Sequence, residues 1–334
     1  MHLKPLFLVF AAASALAASA DAAAYPWPVK PFDKQHPIRA NFGDPRTRFW
    51  NTMLTRGLEG PGQFQFHNGI DIHAPGGTPV YPVVSGTASL IDGAAVVVRT
   101  KRGTFQYFHI VPAIEDGERV VARRTVLGYV MGTYEHVHFA EIRDRKVRNP
   151  LGRSGIAPYR DHTVPEVDSI SVRPTTSLDT LDTANVCGTV SLVAAAHDTP
   201  PIPVPGAFAG FPVSPALVTW SLARVERETY VQDVPAADFR TTLPVTRSFW
   251  NVYARGSYQN APRFSGHQYF MPGRFVYNLT SFLDTRWYPD GAYEITVRAS
   301  DMRGNASEAA QTLTIANSGG CAAQVPSSSP YARR

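Results

Sequence analysis

The chain has 334 residues, with 32 Lys and Arg against 27 Asp and Glu, 10 histidines and two cysteines, and a sequence pI near 9.2. That length accommodates two domains with cores of their own, so neither metal nor disulfide is needed to hold a fold together. The positive excess is small and scattered, which excludes a nucleic-acid footprint and leaves loose attraction to an anionic polymer or surface.

Lys4, the apolar run "PLFLVFAAASALAA" and the small residues of "SADAAA" predict a signal peptide over 1–24, with the mature chain starting between Asp21 and Tyr25. The run is shorter than the roughly 20 residues of a membrane span and none like it follows, so a periplasmic or secreted protein with no span after cleavage is expected. Next, "YPWPVKPFDKQHP" reads as an extended lead-in over 25–37. Over 38–160, runs such as "TPVYPVVSGTASLI", "AAVVVRT", "TFQYFHIV" and "HVHFAEI" lie between glycine-rich turns with no long helical period. They predict a compact, mainly antiparallel β domain.

Over 161–318 the pattern becomes alternating: "VDSISVRP", "GTVSLVAAAHD", "ALVTWSLARV", "FVYNLTSFL" and "GAYEITVRASDMRGN" are separated by turn signals. This predicts a β-sandwich, with "DGAYEITVRASDMRGNAS" as the last hairpin of an immunoglobulin-like domain. The long apolar loop "HDTPPIPVPGAFAGFPVSP" reads as a packed insertion or a contact surface. Residues 319–334 are expected to be a disordered tail. In an oxidising compartment Cys187 and Cys321 can pair, which for so long a loop is worth about 4–5 kcal/mol in the chain-entropy model.

Five histidines of the first domain, His67, His73, His109, His136 and His138, lie in strand-like runs. Strand alternation puts His136 and His138 on one face and Val137 and Phe139 on the other. In "FHNGIDIHAPGGTPV" a straight strand would separate His67 from Asp71 by about 13 Å, whereas donors on one tetrahedral zinc sit about 3–3.5 Å apart. Asn68-Gly69 offers the bend that brings them together, so a hairpin with a kink there is expected. A site of His67, Asp71 and one histidine of His-Val-His has three protein ligands and an open position, the pattern of a catalytic zinc. The other histidine of the pair and His109 would then stand beside the metal as acid, base or oxyanion donor. A cupin-like site of both histidines with Glu141 is disfavoured, because Glu141 has the opposite strand parity.

In order, "PIRANFGDPR", "HNGIDIHAPGGTPVYPVVSGTAS", "FQYFHI", "DGERVVARRTVLGYVMG" and "HVHFAEIRDRKVRNPL" resemble the lysostaphin-type zinc metallopeptidases of the LytM kind, over Ile38 to Leu151. The resemblance implies a lysostaphin-type antiparallel β-sheet peptidase domain, here ahead of the sandwich, that cuts peptide bonds in bacterial peptidoglycan. It also implies His67, Asp71 and His138 as Zn2+ ligands and His109 and His136 as the catalytic pair. His73 is left a bystander, and Asn41 is a candidate extra ligand of an autoinhibited form. The chain departs from the family pattern at Tyr134-Glu135, where small residues are usual, and at Glu141, displaced by Ala140; both departures touch substrate preference. The rival expectation is a catalytically idle wall-binding module that recruits or activates another hydrolase. The sandwich reads as a spacer or docking surface, the protein as a monomer.

Overall fold

The computed structural model describes residues 24–50, 60–226, 228–261, 271–319 and 321. The expected signal peptide, apart from Ala24, and the expected tail, apart from Gly319 and Cys321, lie outside these residues.

The first half contains β1 (Ile38–Ala40), β2 (Pro45–Phe49), β3 (Gly62–Phe66), β4 (Ile70–His73), β5 (Pro79–Val80), β6 (Gly86–Ile91) and β7 (Ala95–Arg99). It continues with β8 (Thr104–Phe108), β9 (Ile110–Pro112), β10 (Arg119–Val120), β11 (Gly128–Val130), β12 (His136–Arg143) and β13 (Lys146–Arg148). The main sheet runs β1-β4-β12-β8-β7-β6-β10, with β13 on the far end of β12. Every pairing in it is antiparallel. The short strands β5, β11 and β9 form a second sheet, and β2 and β3 form a separate ribbon. In β12 the first six residues are all buried, so this strand is covered on both faces, and the polar face that carries His136 and His138 is turned inward too. The lead-in is more than an extended arm, because burying large aromatic surface draws it inward. Tyr25, Trp27 and Val29 are buried in the core, and Trp27 Nε1 donates to the Pro158 carbonyl at 2.8 Å.

The second half forms the β-sandwich read from its alternation. Its strands are β14 (Glu166–Pro174), β15 (Thr189–His197), β16 (Leu217–Arg224), β17 (Thr229–Asp238), β18 (Val276–Asp284), β19 (Gly291–Ser300) and β20 (Ala306–Ile315). One sheet is β14-β15-β18 and the other β17-β16-β19-β20, all antiparallel. The predicted last hairpin is β19–β20. Cys187 and Cys321 are joined in a disulfide, with Cα atoms 5.4 Å apart.

A continuous set of buried side chains runs through both halves. Phe66 lies 5.8 Å from Phe239 and 5.3 Å from Phe249 between ring centroids. Gly43, at φ +94°, lets the chain pass beneath Phe239, where a Cβ would lie 2.4 Å from the ring. Tyr253 donates to the Gly43 carbonyl at 2.8 Å, and Asp44 accepts from the Ser214 amide at 2.8 Å and hydroxyl at 2.6 Å. The β1–β2 turn, which leads directly into the β2–β3 ribbon, is therefore seated on the sandwich.

Candidate metal centre

β3 pairs with β2, whereas β4 pairs with β1 and β12, so the expected β3–β4 hairpin does not form. The partners of both strands lie far along the chain or upstream, and β4 gains a ladder on each side by inserting between β1 and β12 of the main sheet. The kink at 67–69 is present, but it carries the chain from the ribbon into the main sheet. Gly69 serves close approach rather than a left-handed backbone: a Cβ there would lie 2.3 Å from the Phe139 carbonyl oxygen and 2.9 Å from the His138 ring.

Within the sheet, antiparallel register sets His138 directly opposite Asp71 and His136 opposite His73. His67, Asp71 and His138 are all buried, and one ligand atom from each lies within 4.8 Å of the others. The distances are 2.8 Å for His67 Nε2 to His138 Nδ1, 3.0 Å for His67 Nε2 to Asp71 Oδ1 and 3.1 Å for His138 Nδ1 to Asp71 Oδ1. These are close to the roughly 3.3 Å edge that ligand bonds of about 2.0–2.2 Å give in a tetrahedron.

The hydrogen atoms argue in the same direction. His67 Nδ1 lies 2.8 Å from the Asn41 carbonyl, so it donates there and leaves Nε2 as a bare acceptor facing a carboxylate oxygen. Lone pairs converging on one point, with the far ring nitrogen tied to a carbonyl, is the arrangement that metal-ligating histidines show. Burial, and after it the Arg46 charge, pushes the His67 imidazole down to about 3. Burial alone would raise Asp71, but His67, His136 and Arg46 around it hold its carboxyl well below the usual range. Arg46 Nη2 donates to Asp71 Oδ2 at 2.9 Å, which reserves Oδ1 for the cluster.

His109 directly follows β8 with φ 65°, a left-handed backbone that is uncommon for non-glycine residues and that turns the chain from β8 into β9. Its ring stacks on Tyr134 at 4.1 Å and lies 4.6 Å from His136 between centroids. Burial, followed by the neighbouring His136, lowers His109 to about 3. His136 is buried, its Nδ1 donates to the Tyr134 carbonyl at 2.8 Å, and its Nε2 lies 3.5 Å from Asp71 Oδ1. A cleft of about 330 Å³, lined by Arg46, Gln65, Asn68, Phe108 and His109 as well as the three clustered residues, opens the site to solvent.

All five residues singled out in the sequence thus meet at one place. His73 is half-buried and outside the cluster. Asn41 does not reach the cluster with its side chain, which donates instead to the Ser214 carbonyl at 3.1 Å; only its own carbonyl touches His67. Arg39, Arg46 and Tyr134 were not assigned roles from the sequence. Arg46 sits in the quoted "FGDPR", but no linear spacing ties it to Asp71.

Among the described residues, two other groups bring ligand atoms within the same limit, Glu166, Asp168 and His197, and Asp161, Asp198 and Asp301. The first is at the surface with His197 already paired to Asp168 at 2.9 Å, and the second is three buried carboxylates.

No protein-family model and no curated protein matches the chain. Among solved structures, Helicobacter pylori Csd3 from the orthorhombic crystal aligns with 42% of this chain and 37% of its own, at 21% identity and a TM-score of 0.30. The same protein from the hexagonal crystal aligns over 42% and 36%, at 19% identity and the same score of 0.30. The chain therefore spans little more than a third of the Csd3 chain.

Proposed function

We propose that this protein is an exported zinc-dependent endopeptidase that hydrolyses peptide bonds in the stems or cross-bridges of bacterial peptidoglycan. The observation that carries the reading is the convergence of His67, Asp71 and His138, read from two distant stretches, with donor atoms 2.8–3.1 Å apart at the floor of an open cleft. These three residues hold the metal. When bound, zinc acts as a Lewis acid that polarises a carbonyl and makes water nucleophilic near neutral pH.

The chain's own groups do the rest. Asn41 fixes the His67 ring and Arg46 fixes the Asp71 carboxylate, so the donors are preorganised. His109, which lines the cleft, and His136 beside it divide proton abstraction from water and stabilisation of the tetrahedral oxyanion. Burial disfavours charge on both rings, so each is a neutral imidazole with one acceptor nitrogen. The disulfide supports export to an oxidising compartment.

Digestion of purified peptidoglycan of known cross-bridge chemistry, with mass spectrometry of the released muropeptides, tests the reading. Zinc-loaded protein is expected to release new peptide ends, and a chelator to abolish them. Intact sacculi of every wall type after incubation with zinc-loaded protein would leave the idle binding module in its place.

A further inference from the structure

Arg39, on β1, is absent from the set of residues that the proposed chemistry uses, yet its guanidinium lies at the centre of the site. Its Nη1 donates to the Tyr134 carbonyl at 3.1 Å and its Nη2 lies 3.3 Å from His136 Nε2. Its Nε is 3.9 Å from Asp71 Oδ2 and, although buried, has no hydrogen-bond partner. The flat face of the group lies 4.0 Å from the centroid of Phe208, which belongs to the short turn Gly206–Phe208 in the long loop of the sandwich. A buried cation with one unsatisfied N–H is a local cost, and such costs persist where the surrounding structure enforces them for a purpose.

We propose that Arg39 is a positioning residue, clamped by Phe208 of the sandwich, that holds His136 in the tautomer whose Nε2 faces the metal ligands as an acceptor. This rests on the reading of His136 as one of the catalytic pair. Tyr134 supplies a carbonyl, which only accepts, so His136 Nδ1 carries the hydrogen and Nε2 does not. Bare Nε2 then faces the Asp71 carboxylate at 3.5 Å, two acceptors in opposition. Arginine can only donate, and Arg39 places a donor beside Nε2 while its other arm holds the same Tyr134 carbonyl. One arm of the fork thus meets Nε2 directly, and the other shares with Nδ1 the Tyr134 carbonyl as acceptor. A lysine has no such fork and no flat face to lie on Phe208. On this account the sandwich is part of the site, through a loop that reaches across to β1.

The test has two readouts. In metal-free protein labelled with 15N at histidine, long-range 15N–1H correlation is expected to show His136 protonated at Nδ1 alone in the wild type. Arg39→Ala is expected to displace its Nε2 signal or mix the tautomers, with Phe208→Ala acting in the same direction but less. In zinc-loaded protein, Arg39→Ala is expected to retain the metal and lower kcat at least about tenfold with KM changed less than about twofold, and Arg39→Lys is not expected to restore it. Phe208 lies in a half-buried surface turn, so its variant keeps the test open if Arg39→Ala fails to fold. Unchanged His136 signals in either folded alanine variant, or full recovery by Arg39→Lys, overturn the proposal. An inactive wild type would overturn the peptidase reading alone, since the tautomer measurement needs no turnover.

Discussion

At the scale of single residues, the proposed reading separates groups that would hold a metal from groups that would act beside it. His67→Ala removes one of three donors and is expected to abolish stoichiometric zinc, read by metal analysis after dialysis. Arg46→Ala frees the second oxygen of Asp71, which Arg46 now holds at 2.9 Å. Loss of an outer-shell partner of this kind weakens metal affinity about 10–100-fold, so a competition titration with a chromophoric chelator is expected to show a drop in that range, and unchanged affinity would remove Arg46 from the account. The shared face of His136 and His138 was legible in the sequence because strand parity is a local rule, whereas the choice of His138 over His136 beside His67 and Asp71 came only from the family resemblance. Arg46 and Arg39 were not legible, since their roles depend on which strands become neighbours. His109 gave its position away at a strand end, but its left-handed backbone is visible only in the fold.

Elements decide how closely the ligands approach. β4 and β12 are hydrogen-bonded neighbours at Asp71 and His138, and Gly69 keeps the entrance to β4 against the Phe139 carbonyl. A methyl group at Gly69 must push β12 away, so Gly69→Ala is expected to destabilise by roughly 1–3 kcal/mol and to weaken zinc binding with it. A variant of wild-type stability and affinity would show that the close approach is dispensable. The hairpin expected around Asn68-Gly69 failed for a physical reason, because turn chemistry reports a bend without reporting what the strands on either side pair with. The sandwich strands β14, β15, β16 and β18 were legible, as was the final hairpin, since turn signals bound each run, whereas β17 was not among the runs read.

The whole molecule couples these parts through buried polar groups and one covalent link. Burial, and next the charge of Asp161, raises Asp198 to about 8, and burial raises Asp44 at the junction to about 6. Both carboxyls bind a proton more tightly folded than unfolded. Their contribution to stability is therefore complete below the ordinary value of 3.8 and is lost as pH rises, through about 6 for Asp44 and about 8 for Asp198. His67 and His109, held near 3 against an ordinary 6.5, oppose this trend at lower pH, so thermal unfolding midpoints are expected to fall between about pH 6.5 and 8, and Asp198→Asn to flatten that fall. A midpoint that climbs steadily toward alkaline pH would contradict the assignment. The Cys187–Cys321 disulfide spans 134 residues, and its removal by paired serine substitutions is expected to cost up to about 4–5 kcal/mol, read as a lower denaturation midpoint. The packing of the β1–β2 turn under Phe239 and the reach of Phe208 to Arg39 could not be read from the sequence, because each joins residues on opposite sides of the apparent domain boundary.

The central claim is that metal holding and proton handling reside in different histidines of one cleft. Zinc content and peptidoglycan turnover measured on the same preparations of His67→Ala and His109→Ala test it most directly. The account predicts that His67→Ala loses both, while His109→Ala keeps zinc and loses turnover by about 10²-fold or more. A His67→Ala protein without zinc and with full turnover would contradict it.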